Sequence, residues 1–264
     1  MLRSVFGKTL WDARRPIVGW SLGIAVIGVA YAAFYPTTNT PEMAEALKAY
    51  PPALLDAIGF TDITSAAGYL GSTTFGSLGA ILVIIFAASM GGSAIAGDEQ
   101  GGMLDLPLAH PVSRWRLVLE RFAALVVSVV IACAVLAVAL VAISGPAELG
   151  DVGPLNMVAA CVHLAMLGVV FGALALAVGG ITGRRTMVYA VVGIVAVGGF
   201  LGNNLAPTIE GLAWLRDISP FHYLAGGQPL RNGLQVMDVA ILAGAGAVLI
   251  GVGGLAFDRR DIAV

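Results

Sequence analysis

The chain has 264 residues, 58% hydrophobic and only 11% charged, with a formal net charge of −2 and a mean hydropathy of +0.91. A soluble domain of this length needs more charge to cover its surface, and a near-neutral chain offers no bulk basic patch to nucleic acid. Cys133 and Cys161 both fall in apolar runs. They read as buried thiols, because no Cys-x-x-Cys or Cys/His cluster suggests a disulfide framework or a metal site.

At the start, Leu2, Val5, Phe6 and Leu10 recur at helical spacing. Arg3, Lys8, Arg14 and Arg15 take other faces, and Trp11 stands at the polar boundary. Residues 1–16 therefore predict an interfacial amphipathic helix on the inner leaflet, with Pro16 opening the first span. Ala30-Tyr31-Ala32 resembles a signal-cleavage site, but the long amphipathic leader and the further apolar runs argue against cleavage.

A hydrocarbon core about 30 Å thick needs roughly 20 apolar helical residues. Six runs satisfy this: Ile17–Tyr35, Thr74–Ala96, Phe122–Ile143, Met157–Gly180, Met187–Leu205 and Val239–Phe257. None carries Lys, Arg, Asp or Glu in its interior. Their continuity argues for helices rather than barrel strands. The expected fold is all-α and integral to the membrane.

Between the spans, segment 36–73 is acidic and broken at Pro51-Pro52, with a short surface helix expected around Met43–Leu47. Ser144–Pro154 is a short second connection. Asn203–Met237 is too interrupted to span and too apolar to be freely solvated, and reads as re-entrant or interfacial short helices. Trp214, Phe221 and Tyr223 are expected there at headgroup depth. Small residues repeat four apart at Gly76/Ala80, Gly168/Gly172 and Ala243/Ala247/Gly251, which suits close helix approach.

Eleven of the 14 Lys and Arg residues fall on one side: Arg3, Lys8, Arg14, Arg15, Arg114, Arg116, Arg121, Arg184, Arg185, Arg259 and Arg260. Lys48, Arg216 and Arg231 fall on the other. The positive-inside rule puts both termini in the cytoplasm, and an even span count agrees. Small-residue bias suggests a GC-rich bacterial source, hence the bacterial inner membrane.

Chemistry is scarce. Gly7-Lys8-Thr9 echoes a phosphate-binding loop, but position 2 is Leu2 rather than glycine and no strand precedes it. Gly91-Gly92-Ser93-Ala94-Ile95 fails the nucleophile-elbow pattern at its last position, and no H-E-x-x-H occurs. His163, alone in a span, reads as hydrogen-bonded inside the bundle. No catalytic, cofactor or metal residue is expected in the chain. Without an acidic residue inside a span, a proton-coupled carrier is disfavoured.

The richest sequence is the cytoplasmic segment 97–116. Asp98 and Glu99 close the second span, and Gly101-Gly102 allows a sharp turn. Leu104, Leu106 and neighbouring apolar residues want a partner surface. Pro111-Val112-Ser113-Arg114 turns into the third span.

Here the sequence resembles the permease subunits of type-2 ATP-binding-cassette exporters. The resemblance rests on Glu99, Gly101, Gly102, Leu104, Leu106, Pro111, Val112, Ser113 and Arg114. Ser219-Pro220 with Tyr223 resembles the outer S-P motif, and Phe257-Asp258-Arg259-Arg260-Asp261-Ile262 resembles the F-x-R-R-D ending. Asp105 and Pro107 interrupt the usual leucine-rich stretch. The resemblance implies a six-helix half with an elbow helix (Phe6, Lys8, Trp11, Arg14, Arg15) and a second permease copy or paralogue. It also implies separate ATPase subunits holding ATP and Mg, docked on a coupling helix within Asp98–Arg116. Lipid is the surrounding partner, and hydrophobic or amphipathic cargo is expected. A non-transporting membrane anchor or force relay, and an ATP-independent carrier, are the alternative functions.

Overall fold

The computed structural model describes residues 4–40, 42, 45–46, 49–51, 64–102, 113–206, 209 and 211–260, and the regular elements among them are all helical. Helix α1 (Val5–Thr38) starts at Ser4, whose hydroxyl accepts the Gly7 N–H at 3.1 Å. Next comes a composite rod. It contains α2 (Ala66–Leu70), a π-helical turn at Gly71–Phe75, α3 (Leu78–Gly92), a second π turn at Ser93–Gly97 and α4 (Asp98–Gln100). Helix α5 (Arg114–Ile143) is capped by Ser113, which accepts the Arg116 N–H at 3.3 Å. Helix α6 (Pro154–Thr182) has proline in its first turn, where a missing N–H costs little. Helix α7 (Arg185–Asn204), the short α8 (Trp214–Ile218), α9 (Pro220–Ala225) and α10 (Pro229–Asn232), and α11 (Val236–Arg259) follow.

Six rods are long and apolar enough to cross a bilayer: α1, the composite 66–100, α5, α6, α7 and α11. Each contains or closely overlaps one of the six apolar runs. The shortest, α7 with 20 residues, is about 30 Å long at 1.5 Å per residue, which matches the hydrocarbon thickness.

Helix α6 is the axis of the bundle. It packs against α3, α5, α7, α11 and the short helices α9 and α10, and most of its residues are buried, including Leu164, Phe171 and Leu176. A helix apolar all round is expected in such a position. Gly168 and Gly172 admit the neighbours: a Cβ at 168 would lie 2.6 Å from Val83 Cγ1, and one at 172 would lie 2.6 Å from Leu125 Cδ2. That stripe therefore serves packing within the chain. Ala243 and Ala247 are exposed, and Gly251 has no atom within 4 Å of a built Cβ.

The first helix shows no break at Pro16 between residues 5–16 and the first span. Helix α1 runs unbroken from Val5 to Thr38 with Pro16 inside it. Its packing face explains why. Leu10 and Ala13 rest on the core, and Ile17, Ser21, Ile24, Gly28, Ala32 and Tyr35 continue the same stripe at helical spacing. Proline removes one backbone bond, but the buried stripe continues across it and holds the helix together. Helix α1 lies mainly along α5, and the Phe6 N–H donates to the Glu120 carboxylate at 2.9 Å.

At the end opposite the chain termini, Asp151 accepts the Ala66 N–H at 3.3 Å, and the Tyr35 hydroxyl donates to the Thr64 carbonyl at 3.3 Å. The Asn156 amide donates to the carbonyls of Leu230 and Arg231 at 3.1 and 3.0 Å. The expected helix around Met43–Leu47 falls largely outside the described residues. Cys133 and Cys161 are buried free thiols, as read from the sequence. The His163 Nδ1–H donates to the Ala159 carbonyl at 2.9 Å, inside the bundle.

Candidate functional site

Two features stand out: an apolar pocket in the side of the bundle and an ion-pair cluster at the end rich in Lys and Arg.

The pocket has a volume of about 660 Å³. One wall is α3, through Ile81, Ile85 and Ser89, and the other is α7, through Tyr189, Ala196 and Leu201. Trp20 of α1 and Phe221 of α9 also line it. No lining residue is Asp, Glu, Lys, Arg or His. Its only side-chain polar groups are hydroxyls and the Trp20 indole N–H, so it suits a hydrophobic guest with few polar groups.

Phe221, expected at headgroup depth, packs inside the protein. It is 5% exposed, 6.1 Å from the Phe171 ring and 5.7 Å edge-on from Phe200. The local sequence produces this. Ser219 caps α9, accepting the Phe221 N–H at 3.2 Å, while its own hydroxyl donates to the Gly199 carbonyl at 2.7 Å. Pro220 fixes the first turn of α9. The Tyr223 hydroxyl donates to the Asp217 carbonyl at 2.6 Å, closing the turn between α8 and α9. Ser219 thus ties the start of α9 to α7, and Tyr223 ties α9 to α8.

At the basic end, the start of α5, the end of α6, the end of α11 and α4 meet. Asp98 pairs with Arg121 at 2.6 Å, and Arg121 is 6% exposed. Glu99 pairs with Arg260 Nη2, while Arg260 Nη1 donates to the Gly180 carbonyl at 3.0 Å. Arg114 Nη1 donates to the carbonyls of Arg260 at 2.7 Å, Phe257 at 3.2 Å and Asp258 at 3.3 Å. Its guanidinium stands 5.8 Å from the Phe257 ring centroid. Cations at helix C-termini also complement the negative end of the helix dipole. Gly183 closes α6 at φ +65°, and a Cβ there would stand 2.6 Å from a Glu99 carboxylate oxygen.

Asp98, Glu99, Ser113 and Arg114 are thus brought together. Gly101 and Gly102 are exposed, Gly102 at φ +62°, a conformation glycine adopts freely. Leu104, Asp105, Leu106, Pro111 and Val112 lie outside the described residues. Along α1, Lys8, Trp11, Arg14 and Arg15 are exposed, and Arg14 stands over the Trp11 ring at 4.3 Å. The Phe6 side chain is half-buried.

Trp20, Tyr189 and Phe200 were not singled out as site residues. Trp20 and Tyr189 sit four residues inside Pro16 and Arg185, where an aromatic reads as an interface anchor. Arg121 and Arg260 are visible in sequence chiefly as topology markers.

Six bilayer-length helices and a lateral apolar pocket define a multi-pass membrane protein of the permease class. The chain belongs to the family described as multidrug efflux system permease Rv1217c, C-terminal domain, whose model it matches over residues 2–258. That membership agrees with the resemblance to transporter permeases read from its motifs. No curated protein matches the chain.

Proposed function

We propose that this chain is the permease part of an ATP-driven exporter that moves hydrophobic or amphipathic molecules out of the cytoplasm or the inner leaflet. The uncharged pocket between α3 and α7 carries this reading, and membership of a multidrug efflux permease family supports it. Cargo enters the pocket among Ile81, Ile85, Tyr189 and Ala196, where burial of apolar surface contributes about 25 cal/mol per Å².

Energy in this reading comes from ATPase subunits that hold ATP and Mg, as the resemblance of segment 97–116 to type-2 exporter permeases implies. These subunits dock on the segment between α4 and α5, which faces the cytoplasm together with both termini of the chain. A second permease half, a copy or a paralogue, completes the path. The source membrane is a bacterial inner membrane.

The test has two arms. Mild-detergent purification is expected to recover, in stoichiometric amount, a protein with complete nucleotide-binding motifs. Replacing Ala196 with Trp fills the pocket from α7 and is expected to lower transport of a hydrophobic dye in proteoliposomes at least about tenfold, equivalent to ~1.4 kcal/mol. Dye transport without ATP, or no co-purifying ATPase, would sink the proposal.

A further inference from the structure

Glu99 and Arg114 flank the segment that the proposed function assigns to docking, yet neither side chain is turned toward a partner. Both are used inside the chain, and both uses converge on the end of α11. The Glu99 carboxylate meets Arg260, whose side chain also reaches the Gly180 carbonyl at the end of α6. Arg114 holds the last carbonyls of α11 through three contacts of 2.7 to 3.3 Å. The side chains of Glu99 and Arg260 are 19% and 21% exposed, so water screens them only in part, and removing one partner leaves the other charge poorly compensated. Trp115 packs against Gly254, one turn further into α11.

We propose that Glu99, Arg114 and Arg260 form a clasp that ties the ends of α4 and α5 to the last span, so that movement of those ends displaces α11. This rests on the exporter reading above. The three are positioning residues: they pass on a displacement and do not touch the ATPase. A docking role would require their side chains to face outward. The geometry instead closes a ring from α4 through Arg260 to α11, and through Arg114 to α5. The Asp98–Arg121 pair joins α4 to α5 directly and completes it.

The experiment is a double-mutant cycle on Glu99→Ala, Arg260→Ala and the pair, with Arg116→Ala as control. Arg116 is exposed and pairs with Glu120 on its own helix. For the purified permease in nanodiscs, hydrogen exchange over residues 254–260 is expected to rise in each single variant. The double variant should show no further rise, the mark of two groups acting through one link. Capture of the ATPase that co-purifies with the wild-type chain is expected to stay unchanged. Transport per ATP should fall at least about fivefold, the lower end of a typical coupling effect. Arg260→Lys keeps the charge but only one of the two bonds, and should fall between wild type and Arg260→Ala.

Loss of ATPase capture in Glu99→Ala or Arg260→Ala would overturn the clasp by making these residues docking contacts. Additive exchange effects, or an Arg260→Lys chain no better than Arg260→Ala, would overturn it as well. If the wild-type chain captures no ATPase, the exporter reading fails instead, and the exchange cycle alone decides the clasp.

Discussion

At Gly183 a side chain meets two obstacles. The left-handed backbone costs an L-residue roughly 1–2 kcal/mol, and a Cβ would press on the Glu99 carboxylate and Arg260. Gly183→Ala is therefore expected to lower stability by about 1–2 kcal/mol, read as a lower thermal midpoint in detergent. Gly91 is constrained by a backbone rather than by its own conformation. A Cβ there would lie 2.5 Å from the Gly172 carbonyl oxygen, which can yield only if α3 and α6 move apart. Gly91→Ala should cost about 1–3 kcal/mol by overpacking. Gly251→Ala meets no atom within 4 Å and should change stability by no more than about 0.5 kcal/mol, or raise it. Equal losses at 91 and 251 would show that the close approach of α3 to α6 is not what glycine 91 serves.

Among the elements, α1 and the 66–100 rod depart furthest from a plain span. Helix α1 has 34 residues, or about 51 Å, against a core of about 30 Å. Tilts of up to about 40° do not absorb that surplus, so part of the helix extends beyond the hydrocarbon core. The pattern of charges along residues 1–16 was legible, because it is local. Their fusion with the first span was not, because it depends on contacts with α5. The 66–100 rod is interrupted at Gly76–Ser77, between its first π turn and α3. Hydroxyls satisfy carbonyls nearby: Thr73 donates to Tyr69 at 2.7 Å and Ser77 to Thr73 at 2.8 Å. Such side-chain bonds let non-α backbone persist in an apolar setting. Amide exchange over residues 71–77 should be faster than over 78–92, and equal protection across both would contradict the interruption. Hydropathy locates the rod but carries no signal for a π turn, which adds one residue without changing composition.

For the whole molecule, burial grades from α6 outward. Helix α7 buries only Val188 and Val192, leaving Ile194, Val197 and Leu201 exposed. A photoactivatable probe dissolved in the lipid phase should label α7 far more than α6, and even labelling would refute that ordering. The six spans were readable because each is set by its own composition. The site was not, because Glu99 and Arg260 lie 161 residues apart and the pocket walls come from helices that α4, α5 and α6 separate in sequence. Only Ser219-Pro220 gave a local hint, since a cap and a proline fix where α9 points Phe221.

Helix α7 is pinned by Val188 and Val192 toward one end and by the Ser219–Gly199 bond toward the other. Over the stretch between, where Ala196 and Val197 border the pocket, little of it is buried. Like a bowstring, such a helix can flex outward at mid-length while the post opposite stands still. The chamber can then change its girth without disturbing the core.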